Sequence, residues 1–179
     1  LNARGGYEAD LTLARLGPPS LAVNVLVEKS TRPVPGQPGF TRPLRTGQRL
    51  HLHLGSSSHE ARLHLLATRS IGPGESAIAQ LRLETPVHAL AGDRFVLRDW
   101  SKQFTIGGGL ILETCAVPSR FRKPAHRTYL EARALAPGSV EGALLDLLAR
   151  DHAVPRDGLL AQSNFSDAEV RKAAEGLVR

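Results

Sequence analysis

Six short runs in the first two-thirds of the chain mostly alternate apolar and polar side chains, and no helical period of useful length interrupts them. They are LAVNVLV (Leu21 to Val27), RLHLHL (Arg49 to Leu54), ARLHLL (Ala61 to Leu66), AIAQLRLE (Ala77 to Glu84), DRFVLR (Asp93 to Arg98) and GLILETC (Gly109 to Cys115). A period of two sends successive side chains to opposite faces of a strand, so one face can turn inward. The stretches between them, RPVPGQPGF, GSSSHE, IGPGES and ALAGD, are rich in turn-forming residues. Short strands joined by such turns predict a mainly β fold, an antiparallel barrel or sandwich of hairpins. Leu1 to Pro19 is less regular and reads as the tail of a preceding domain or an N-terminal extension.

After residue 117 the pattern changes. Residues 118–137, PSRFRKPAHRTYLEARALAP, carry a net charge of +4 in a chain whose total is +6, and read as a basic linker. Residues 138–179 are helical in period. Ser139 is the expected N-cap of a helix in which Val140, Leu144, Leu147 and Leu148 share a face. Asp157 to Ser163 fits a second short helix. Ser166 and Glu169 form a capping box ahead of Val170, Ala173, Ala174 and Leu177. Three helices within about forty residues match a helix-turn-helix core, here a truncated winged-helix domain without its wing.

Composition narrows the class. No apolar run of about eighteen residues is present, so no membrane span is expected, and no secretory leader is visible. The chain has no methionine and opens at Leu1, which suggests a piece of a longer protein. Cys115 is the only cysteine, so a reducing, cytoplasmic compartment is expected, with Cys115 as a small core residue. The basic surplus points toward polyanions, most often nucleic acid.

The triplet Gly107, Gly108 and Gly109 invites comparison with phosphate-binding loops. A P-loop needs G-x-x-x-x-G-K-[ST] between a strand and a helix. Here Leu110, Ile111 and Leu112 follow instead, so the triplet reads as a strand bend or close approach of two backbones. His51, His53 and His64 could gather round zinc. However, the alternation that buries Leu50, Leu52 and Leu54 leaves Arg49, His51 and His53 outward, beside Arg62 and His64, and neighbouring arginines disfavour a cation. A solvated polar face, one that could also meet an anionic partner, is the preferred reading. No G-x-S-x-G elbow and no close acid pair occur, so no catalytic residue is assigned.

The loop RDWSKQF combines Arg98, Asp99, Trp100, Ser101, Lys102 and Gln103. Cations, an aromatic ring and hydrogen-bonding polar groups suit a nucleic-acid backbone. An ordinary hairpin loop with Trp100 folded onto the barrel fits equally well. Arg120, Arg122, Lys123 and Arg127 similarly suit a solvated linker or a strip along phosphates.

Three motifs carry a family resemblance: P-G-E-x-A-x-x-Q-L-R-L-E from Pro73 to Glu84, G-D-R-F-V-L-R from Gly92 to Arg98, and T-I-G-G-G from Thr105 to Gly109. In order and spacing, residues 20–115 resemble the third domain of bacterial selenocysteine-specific elongation factors, relatives of elongation factor Tu. The resemblance implies an elongation-factor-type antiparallel β-barrel over residues 20–117, then the basic linker and the first part of a winged-helix region. It makes residues 1–19 the end of a second barrel. The parent implied is a translational GTPase using GTP and magnesium in a GTPase domain that this chain lacks. It would carry selenocysteinyl-tRNA to the ribosome, guided by an mRNA hairpin that later winged helices bind. The barrel would pack on the parent's own GTPase and second barrel domains, and the loop Asp99 to Gln103 would touch the tRNA. Phe104 departs from the family pattern, which usually has a polar or basic residue there.

Two readings from other classes stand beside it. One is a winged-helix DNA-binding regulator with a β-barrel sensor domain. The other is a metal-dependent enzyme built on His51, His53 and His64.

Overall fold

The structure, a computed structural model, describes residues 17–32, 42–154, 159–160 and 162–177. Its strands are β1 (Ser20–Lys29), β2 (Leu44–Arg45), β3 (Arg49–Leu54), β4 (Ser57–Leu65), β5 (Ser70–Ile71), β6 (Ser76–Val87), β7 (Arg94–Arg98) and β8 (Thr105–Glu113). Three helices follow: α1 (Pro124–Leu135), α2 (Val140–Asp151) and α3 (Asp167–Leu177). Six strands close into an antiparallel barrel in the order β1-β6-β4-β3-β7-β8, while β2 and β5 pair separately. The fold is therefore a β-barrel followed by a small helical region.

Alternation fills the barrel. Val23, Val25 and Val27 of β1, Leu50 and Leu52 of β3, Leu63 and Leu65 of β4, Leu81 of β6 and Leu97 of β7 are fully buried and pack together. Each such side chain contributes about 1.5–3 kcal/mol by leaving water. The glycine triplet lies inside β8, between β1 and β7. A Cβ at Gly107 would sit 2.5 Å from the Glu28 carbonyl oxygen, and one at Gly108 would sit 2.8 Å from that of Phe95. At Gly109 it would overlap the Leu26 carbonyl oxygen. The triplet therefore lets backbones approach where the barrel closes, and the strand begins four residues earlier than its apolar run suggests.

The segment expected as a basic linker holds a packed helix. Along α1, His126, Tyr129, Leu130 and Arg133 are buried. Phe121, Tyr129 and Leu130 pack with Leu66 and Leu112, and Leu26, Ile78 and Leu110 flank them, all on the barrel's outer wall. This explains why β1 is buried on both faces at its centre rather than alternating.

A polar seam ties the helices to the barrel. Glu113, at the end of β8, accepts from Asn24 Nδ2 at 2.6 Å and from Arg150 Nη1 at 2.5 Å, and His126 Nε2 lies 3.1 Å away. Burial opposes ionisation of Glu113, but His126, Arg150 and Asn24 outweigh it and hold the carboxyl below its usual range. Arg150 also bonds Asp151 through Nε and Nη2 and lies 4.3 Å from the Tyr129 ring centre. A second tie pairs Ser163 with Ala91, supported by the Asn164 N–H donating to the Ala91 carbonyl at 2.9 Å.

Both helix caps read from the sequence are formed. Ser139 accepts from the Gly142 N–H at 3.0 Å. Ser166 and Glu169 bond reciprocally, with the Ser166 N–H donating at 2.8 Å and the Glu169 N–H returning at 3.3 Å. On α2, Ala143 and Leu144 are buried, whereas Leu148 is exposed. The short helix expected at Asp157 to Ser163 falls partly outside the described residues; its described part is a turn and the Ser163 bridge.

Cys115 is a correction. It is exposed rather than a core residue. The strand has ended at Glu113, and Cys115 takes a left-handed φ of 50°, turning its side chain outward. Its N–H donates to Ser20 Oγ at 2.5 Å.

Candidate nucleic-acid interface

The β7–β8 loop is held by its own aspartate. Asp99 accepts from the Phe104 N–H at 2.7 Å, from the Ser101 N–H at 3.1 Å, and from Ser101 Oγ. Partial burial pushes the carboxyl up, but the Ser101 and Phe104 hydrogen bonds prevail and hold it below its ordinary value. The Lys102 N–H closes a turn onto the Asp99 carbonyl at 2.9 Å, with Lys102 at φ 60°. Asp99 and Ser101 are thus engaged in shaping the loop, while Lys102 and Gln103 project from it, exposed. Phe104 packs against the core. Asp99, Ser101, Gln103 and Phe104 also form one wall of a cleft facing Lys29, Arg42, Arg45 and Gln48. Burial lowers the pKa of Lys29 there.

Trp100 folds back over β3 and stays half in water, 47% exposed. Its ring stacks on His51 at 5.0 Å between centres, and the Arg49 guanidinium lies 4.5 Å from its centre. Consequently His51, which points away from the barrel core as alternation requires, is nevertheless buried, at 3% exposure. The solvated face expected for Arg49, His51 and His53 is in part roofed by an aromatic ring.

The three histidines do not converge. His51 lies opposite Glu60 and His53 opposite Ser58, whereas His64 pairs with Gln80, beyond the Arg49–Arg62 row. Burial, then Arg98, His51 and Lys102, lowers the pKa of His53; burial, then Arg82, Arg62 and Arg122, lowers that of His64. At neutral pH both rings therefore favour the uncharged form.

The basic segment is largely engaged elsewhere. Arg122 donates to the Leu65 and Leu66 carbonyls at 3.1 and 3.3 Å, and Arg127 pairs with Glu131 at 2.7 Å. Arg120 lies near enough to Asp151 to help lower its pKa, after the larger effect of Arg150. Lys123 is exposed just ahead of α1. By contrast Arg49, Arg62, Arg82, Arg98 and Lys102 have no ion-pair partner among the described residues.

Arg82 was missed by sequence reasoning, although its place in QLRLE puts it on the same face as Gln80. Helix α3 opens with Asp167 and Glu169, so its N-terminal end is acidic.

Comparison with known proteins agrees with this architecture. Residues 37–118 match the beta-barrel domain of selenocysteine-specific elongation factors. The selenocysteine-specific elongation factor of Desulfomicrobium baculatum is 36% identical over 70 residues, 39% of this chain and 11% of that protein. That of Escherichia coli (strain K12) is 28% identical over 130 residues, 73% of this chain and 18% of that protein. That of Haemophilus influenzae is 26% identical over 105 residues, 59% and 17% respectively. The chain thus spans between a tenth and a fifth of the length of these relatives. Together these matches support a barrel domain of the selenocysteine-specific elongation factor type within this chain.

Proposed function

We propose that this chain is the tRNA-binding barrel and adjoining helical segment of a selenocysteine-specific elongation factor. The family match over residues 37–118 carries the reading. In it, the β7–β8 loop meets the backbone of selenocysteinyl-tRNA, with Lys102 and Arg98 at phosphates and Trp100 and Gln103 at the ribose or base edges. Asp99 and Ser101 keep the loop in a binding-ready shape, which reduces the ordering cost of association.

The rest of the activity belongs to the parent protein. GTP hydrolysis with magnesium takes place in a domain outside this chain. The helices lead toward segments that engage the mRNA hairpin, and the whole acts on the ribosome in the cytoplasm. The barrel packs against the parent's GTPase and second barrel domains.

The test is a double substitution in the full-length factor. Trp100→Ala with Lys102→Ala should weaken selenocysteinyl-tRNA binding about tenfold or more, with GTP affinity unchanged. Unchanged tRNA affinity removes the loop from the interface.

A further inference from the structure

Strand register aligns three arginines that lie far apart in sequence. Arg49 of β3 pairs with Arg62 of β4, and Arg62 pairs with Arg82 of β6. All three are on the barrel's outer side, since their neighbours Leu50, Leu63, Leu81 and Leu83 are in the core. Like charges directly opposite each other on adjacent strands are destabilising. The wall nevertheless carries three in one row, with no carboxylate paired to any of them among the described residues. Packing does not require this row, because the core contacts belong to the other face.

Each guanidinium is anchored through uncharged contacts that leave its charge uncompensated. Arg49 lies against Trp100, and Arg62 Nη1 donates to the Gly47 carbonyl at 3.3 Å. Arg82 Nε donates to Gln80 Oε1 at 2.9 Å. Gln80 is in turn fixed, fully buried, by donating to the Asn24 Oδ1 at 3.1 Å, and Asn24 bonds Glu113. This oriented chain leaves the Nη1 and Nη2 groups of Arg82 for an external acceptor.

We infer that Arg49, Arg62 and Arg82 form a phosphate-binding ladder that receives successive phosphodiesters of one RNA strand. Neighbouring strands stand about 4.8 Å apart, so the row spans roughly 10 Å. A strand of B-form duplex carries one charge per roughly 3.4 Å of axis, so a row of this length is long enough to meet more than one phosphate of a single strand. The row begins beside Trp100, so RNA lying on the β7–β8 loop continues across β3, β4 and β6. This deepens the proposed tRNA reading and rests on it for the identity of the RNA; the ladder itself requires only a phosphodiester backbone.

The experiment compares the 179-residue chain with its Arg62→Gln, Arg82→Gln double variant. Neither substitution touches the loop. Binding to a selenocysteine tRNA transcript and to a plain RNA duplex is followed by fluorescence anisotropy between about 50 and 200 mM salt. Each lost phosphate contact should reduce the slope of log affinity against log salt by roughly 0.9, hence by about 1.8 for the pair. Affinity near 0.15 M salt should fall roughly thirtyfold. The Arg62→Lys, Arg82→Lys variant, which preserves charge, should keep most of the slope and guards against a folding defect.

An unchanged slope in the glutamine variant overturns the ladder, as does absence of RNA binding by the wild-type chain at the lowest salt. If the ladder fails while the Trp100, Lys102 variant still loses tRNA, the tRNA reading survives without it. If the slope falls as expected but the tRNA transcript gains nothing over the plain duplex, the ladder stands and the tRNA assignment loses its support.

Discussion

Two charged regions of this molecule use the same residue types in opposite ways. In the seam between barrel and helices, Arg150 is saturated by Glu113 and Asp151, and Glu113 is saturated by Arg150, His126 and Asn24. On the β7–β3–β4–β6 wall, Arg49, Arg62 and Arg82 lie in one row and Arg98 lies opposite His51, with no acid paired to any of them among the described residues. The two regions meet at Asn24, which accepts from Gln80 under the wall and donates to Glu113 in the seam. Charge in the seam is spent on holding two parts of the chain together. Charge on the wall is left for something outside. The difference corrects an inference from composition: the most charge-dense segment, residues 118–137, is largely engaged internally, while the uncompensated positive charge is carried by strands.

The strongest way to break the comparison is to empty the seam. Glu113→Ala leaves Arg150 Nη1 and the buried Asn24 amide without the carboxylate they share. Removing one member of such a pair costs on the order of 3 kcal/mol. A lower urea midpoint and faster amide exchange in α2 should report it. Acid should do the same to the wild type. Because the folded-state pKa of Glu113 is depressed below the ordinary 4.5, its contribution is present above about pH 4.5 and is lost as pH falls through the lowered value. If α2 exchanges freely at neutral pH in the wild type, the seam does not hold the helices.

A smaller effect is expected where the two regions share a logic. Asp99 is the one acid in the loop, yet it is bound to its own backbone rather than paired with the neighbouring cations. Asp99→Ala frees the Phe104 and Ser101 N–H groups and should lower stability by about 1 kcal/mol. It should also weaken RNA binding about fivefold, because the loop must then be ordered on association. If affinity rises instead, the negative charge matters more than the lock, and the loop belongs with the paired region.

What could be read in the sequence follows the range of the interactions. The barrel core was legible because period-two alternation is local, and β3 carries the bounds its pattern gives. The family motifs were legible for a related reason: several of their residues shape turns. Glu75 accepts from the Gly72 N–H at 2.6 Å, Asp93 accepts from the Leu90 N–H at 2.8 Å, and Gly74 and Gly92 adopt positive φ. The α1 helix was hidden because Phe121, Tyr129 and Leu130 are sparse among basic residues, and their partners Leu26, Ile78 and Leu112 come from distant strands. The burial of His51 depends on Trp100, forty-nine positions away. Two of the three arginines in the row were within reach: a two-residue turn at Gly55 and Ser56 fixes Arg49 opposite Arg62. Arg82 was not, because the connection from β4 to β6 passes through β5 and sets no register by itself.

The smallest predicted effect discriminates most sharply, because its sign is opposite to that of most substitutions. Arg62 stands between Arg49 and Arg82, with two like-charged neighbours and one 3.3 Å hydrogen bond to the Gly47 carbonyl. Arg62→Gln removes both repulsions and retains an amide that can still donate to that carbonyl. Cross-strand charge pairs are worth roughly 0.2–1 kcal/mol each, and solvent screening places an exposed pair near the lower end. Stability should therefore rise by a few tenths of a kcal/mol, and the gain should shrink as salt is added. In the seam the corresponding loss of charge destabilises. A thermal melt at low and high salt separates the two behaviours: a variant that loses stability, or gains it independently of salt, would mean that Arg62 is held by contacts rather than strained by charge, and the contrast between wall and seam would disappear.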